Sequence, residues 1–157
     1  MPMLAAIWWT IFTVCGIWGQ VLVPGVDFFA PGMAISLRWQ KPVVTVILAL
    51  VWVAIQEGAG GLAFGYGILW YFTLFALLTL GRWLLDPGSF QFQALLGLAL
   101  GGAHFLLLYL MAVLEMRAFP LKRVLFECLL QTITYPILWY TANNLFPDRL
   151  KRHEESS

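Results

Sequence analysis

Charge is what this chain has least of. Asp, Glu, Lys and Arg make up 11% of its 157 residues, nine basic against eight acidic, for a formal net charge of +1. Soluble domains ordinarily carry about 25% charged residues, so the chain lacks the means to clothe an aqueous surface. A balance this close to neutral also provides no basic field for the phosphates of nucleic acid, and no acidic tail. Only two cysteines occur, Cys15 and Cys128, each inside an apolar run and without a CxxC or a neighbouring histidine. That excludes a disulfide framework and a thiolate metal set, and leaves both as small core residues. Missing too are a GxSxG elbow, an HExxH helix and a spaced Ser, His and Asp set. The expectation is therefore a protein without catalytic residues, cofactor or metal. Glycines are plentiful between Gly58 and Gly67, but without the Lys-Ser/Thr ending that a phosphate cradle requires.

Apolar residues are present in abundance, at 61% of the chain, with mean hydropathy +0.83. A helix crosses the roughly 30 Å hydrocarbon layer with about 20 predominantly apolar residues. The chain therefore predicts an all-α, polytopic transmembrane bundle of five or six helices over residues 1–147, and a polar, disordered tail over 148–157. The first run, Leu4 to Val23, lacks the basic start and small-residue cleavage pattern of a signal peptide, and reads as a retained helix. It ends at Pro24-Gly25, after which Asp27 reads as a polar surface. Phe28 to Leu37 is apolar but short before Arg38 and Lys41, so it is either a thin span or a re-entrant segment. Pro42 to Ile55 is rich in β-branched residues, yet it shows no barrel-like alternation, and in lipid a helix is then the solution. Further crossings are predicted from the glycines to Leu80, from Phe92 to Leu114, and from Val124 to Leu145 with Pro136 inside.

Basic residues in short loops set orientation. A cytoplasmic C-terminus places Arg38, Lys41, Arg82, Arg149, Lys151 and Arg152 inside, leaving Arg117, Lys122 and Arg123 outside.

Ionisable residues at membrane depth are costly and face a bundle interior or cavity. Glu57 stands where an apolar helix meets the glycines, and either anchors a broken helix, meets a partner's cation or sits in the headgroup layer. Gly61 and Gly65, and again Gly97 and Gly101, form GxxxG pairs that let helix backbones approach. They serve internal packing or, with Gly58 nearby, a surface for another membrane protein. His104, in mid-helix, makes a structural hydrogen bond or relays a proton. Glu127 and Gln131, four residues apart and so on one helix face, are placed to meet His104 or another helix.

The order of these features resembles the MreD family of rod-shape-determining membrane proteins of the bacterial inner (cytoplasmic) membrane. The likeness is carried by Gln20 near the end of the first helix, by Pro31-Gly32-Met33-Ala34-Ile35-Ser36-Leu37, and by Gln56-Glu57-Gly58-Ala59-Gly60-Gly61-Leu62-Ala63-Phe64-Gly65. The sequence departs from the family in having Glu57 where an Asp is usual and in the break from Arg38 to Pro42. The resemblance implies a non-enzymatic scaffold of the cell-elongation complex, binding the bitopic partner MreC and assisting peptidoglycan synthases. It also implies a fold similar to the six-helix substrate-binding subunits of vitamin transporters, which is the alternative reading. Convergence of Glu57, His104 and Glu127 on one closed polar pocket would favour that alternative.

Overall fold

The computed structural model describes residues 2–59, 65–116 and 118–151. Among them all regular structure is helical: α1 (Pro2–Leu22), α2 (Ala30–Trp39), α3 (Pro42–Ala59), α4 (Tyr66–Gly81), α5 (Phe90–Leu114), α6 (Leu121–Leu145) and the single turn α7 (Asp148–Lys151). Two helices are long and apolar enough to cross a membrane, Met3–Leu22 and Phe90–Leu114, while Pro42–Gly58 and Tyr66–Gly81 are apolar but shorter. Their apolar side chains do not turn inward as in a soluble core. Only 11% of the most apolar stretch of the first and 33% of the second are buried. Phe72, Leu80, Trp83 and Leu98 are among the large side chains facing outward.

The thin segment proves to be the centre of the molecule. At ten residues α2 is roughly 15 Å long, half of what a crossing needs. Every residue from Ala30 to Ser36 is nevertheless buried, because α3, α4 and α6 surround it. Pro31 stands in its first turn, where a missing N–H costs nothing. The β-branched run after Pro42 is helical, and Thr45 in it donates to the Ser36 carbonyl at 3.1 Å, tying α3 to the end of α2.

Helices α5 and α6 form the main antiparallel pair, and one irregularity explains their closeness. Pro136 has no N–H to offer the carbonyl four residues earlier, that of Thr132. That oxygen faces Gly97, where an added Cβ would lie 2.9 Å from it and 3.0 Å from Pro136 Cδ. One turn along, a Cβ on Gly101 would overlap Thr132 Oγ1 and lie 2.9 Å from the Cys128 carbonyl. The Gly97/Gly101 pair thus serves packing within the bundle. Gln93 fastens the same pair: its amide donates to the Pro87 carbonyl at 2.7 Å and its oxygen accepts from the Tyr135 hydroxyl at 3.0 Å. Ser89 caps α5 by accepting from Phe92 N at 3.1 Å.

Aromatic side chains attach α1. Trp8 meets Phe146 edge-on at 4.9 Å, and Trp9 lies 5.8 Å from Trp52, whose indole N–H donates to Thr13 at 2.9 Å. Beyond Phe146 the chain turns back in α7, where Leu150 is buried and Lys151 donates to the Asn143 carbonyl at 3.0 Å.

Replacing Gly101 with alanine is expected to destabilise the fold by about 1–3 kcal/mol, since two backbone strands of a packed pair must separate to admit the methyl group. Gly58 has open space where its Cβ would stand, so Gly58→Ala should cost nothing. Thermal unfolding of both variants in detergent checks the contrast. Equal melting temperatures would remove Gly101 from the α5–α6 contact.

Candidate functional site

Between the end of α1 and the start of α2 the backbone leaves helical geometry, and two of its N–H groups, those of Asp27 and Phe29, donate to side chains. Asp27 N–H donates to Gln131 Oε1 at 2.8 Å. The Asp27 carboxyl group accepts from Phe29 N–H at 2.8 Å and Gln56 Nε2 at 2.7 Å through one oxygen, and from the Trp70 indole at 2.6 Å through the other. Residues of α3, α4 and α6 therefore converge on one aspartate. The sequence reading of Asp27 as a polar surface is corrected: the side chain points into the bundle because apolar neighbours leave the broken backbone no other partners.

Beside this latch opens a cleft of about 690 Å³. Asp27, Gln56, Tyr66, Trp70, His104 and Glu127 are part of its polar wall, together with Gln20, Glu115 and Arg123, and Ile17, Val21, Leu108 and Met111 are part of its apolar wall. His104 Nδ1 lies 2.8 Å from the Tyr66 hydroxyl, and the edge of its ring meets Trp70 at 5.7 Å. Its Nε2 stands 3.8 Å from Glu127 Oε2, beyond hydrogen-bond reach. Glu127 Oε1 accepts from Arg123 Nε at 2.8 Å, with the arginine exposed one turn earlier on α6. Gly25, in the left-handed region at φ 89°, lets the chain pass over Glu127, for a Cβ there would lie 2.6 Å from Glu127 Cγ.

The residues expected from sequence divide accordingly. His104 and Glu127 face each other in the cleft. Gln131 shares the face of Glu127 but reaches Asp27 N–H instead of His104, and its Nε2, buried, has no hydrogen-bond partner. Glu57 stays out of the cleft. Its Oε1 accepts from Gly65 N–H at 3.0 Å and Gly67 N–H at 3.1 Å, securing the first turn of α4. These bonds anchor the start of α4 to the end of α3. Gly65 begins α4 at φ 88°, with open space around its missing Cβ, so conformation and not helix contact requires glycine there. Gly61 lies outside the described residues. Among the described residues no three His, Cys, Asp or Glu side chains are grouped to hold a metal ion.

Asp27, Gln56, Tyr66, Trp70 and Arg123 were missed as site residues. Asp27 carried a usable signal: a lone carboxylate two residues before an N–H, in a connection too short to leave the bundle, is an Asx-turn acceptor at depth.

Comparison with known proteins places the chain nowhere: no protein-family model, no curated protein and no solved structure matches it.

Asp27→Asn turns one of two accepting oxygens into a donor, which must then face the Trp70 indole, the Phe29 N–H or the Gln56 amide. A loss of about 2–3 kcal/mol is expected. Glu57→Gln keeps the single oxygen that accepts both glycine N–H groups and should cost under about 1 kcal/mol. Chemical unfolding in detergent compares them, and an equal loss in both would deny Asp27 its role as latch.

Proposed function

We propose that the chain is a polytopic protein of the bacterial inner membrane, its C-terminus cytoplasmic, that acts by binding: a non-enzymatic scaffold of the elongation complex resembling MreD. The observation that carries this reading is an apolar groove of about 310 Å³ between α1 and α6. Its walls include Cys15 and Thr141, exposed small residues of the kind that let another helix backbone approach in lipid, flanked by Trp8, Phe12 and Phe28, while Gly16 is occupied by Phe29. Such a groove suits one apolar helix, as a bitopic MreC-like partner would bring, with membrane lipids covering the remaining outward apolar faces and peptidoglycan synthases reached through the assembly. The Gly97/Gly101 pair takes no part, being occupied by α6.

A second reading, a vitamin-like substrate-binding subunit of a transporter, is favoured by His104 and Glu127 sharing a cleft with Asp27. Against it, Glu57 is turned to the α4 backbone.

Gentle extraction of the full chain and identification of what accompanies it tests the proposal. A bitopic partner is expected, and Thr141→Trp, which fills the groove from an exposed position, should lower its recovery about tenfold, the equivalent of about 1.4 kcal/mol of contact. An accompanying ATPase module would favour transport instead. Unchanged recovery in the variant would remove the groove from partner capture.

A further inference from the structure

We infer that the cleft beside Asp27 is a binding site for an amphipathic ligand whose head carries a hydroxyl or a carboxamide. This stands on the cleft alone, whether the protein proves a scaffold or a transporter subunit. Its volume of about 690 Å³ falls within the roughly 300–1,000 Å³ of small-molecule sites, and so does its character, apolar walls with a few convergent polar groups. Ile17, Val21, Leu108 and Met111 offer surface to a hydrocarbon body.

The polar end selects the head group. His104 is 8% exposed, and its Nε2 has no hydrogen-bond partner, although an unpaired buried nitrogen is costly. The other ring nitrogen lies 2.8 Å from the Tyr66 hydroxyl, and we assign the hydroxyl as the donor in that bond, the arrangement that leaves Nε2 as the protonated nitrogen. The ring proton then sits on Nε2, whose distance from Glu127 Oε2 is 3.8 Å. That spacing is too short for an atom between them, but a ligand group seated to one side, in the cleft, reaches both at about 2.8 Å. It must accept from His104 and donate to Glu127. A hydroxyl does both, and a carboxamide does so through its oxygen and nitrogen. An ammonium group cannot accept, and a carboxylate cannot donate. Arg123 holds the other Glu127 oxygen, which keeps Oε2 turned to the gap.

The test uses the full chain in lipid nanodiscs and three photoactivatable probes of one chain length, ending in a primary alcohol, an ammonium group or a carboxylate. The alcohol is expected to label peptides containing Leu108 or Met111 at least about tenfold above the other two, the discrimination that a mispaired buried polar group brings. His104→Phe and Glu127→Gln should each reduce that labelling to the level of the carboxylate probe. Met111→Trp, which fills the apolar end without touching the polar pair, should do the same at an unchanged melting temperature, so that a folding defect cannot imitate the result. Equal labelling by all three probes would overturn the inference. So would preference for the ammonium probe, labelling outside the cleft, or full labelling of a folded Met111→Trp variant.

Discussion

The fold depends on a few side chains doing what a helix does for itself. Between α1 and α2 the chain abandons its internal hydrogen bonds inside an apolar bundle, where each unpaired N–H or C=O is costly. Asp27 resolves this by collecting donors from its own turn, from α3 and from α4, while Gln131 of α6 receives its N–H. Four elements are thereby fixed around one carboxyl group, and α2, too short to cross by itself, is held in the middle.

The same arrangement makes the cleft. Because the connection turns and is not helical, a space remains between the end of α1 and α5 and α6 that packed helices would have closed. The latch residues form its polar wall. Structure and recognition share the same atoms here: Gln56 and Trp70 both hold Asp27 and face the cavity.

The helices themselves were legible because apolar runs of about 20 residues announce themselves without reference to a partner. The helix through Pro136 is legible in the same way, and so is the shortness of α2, which the sequence leaves as either a thin span or a re-entrant segment. Its central place was not legible, since a segment buried on all sides and one lying in lipid have the same composition. His104 and Glu127 stood out as lone ionisable residues among apolar ones. Their facing one another depends on the α5–α6 register, which Gly97, Gly101 and Pro136 determine jointly and no local pattern reveals. The sequence left Glu57 between a helix anchor, a partner contact and the headgroup layer, because only the fold shows that N–H groups of the bordering Gly65 and Gly67 donate to it.

The meeting of Pro136 with Gly97 binds the history of two positions together. A residue with an N–H at 136 would draw the Thr132 carbonyl back into its own helix and relieve the crowding across from it. While Pro136 stands opposite, any side chain at 97 would have to prise the two longest helices apart.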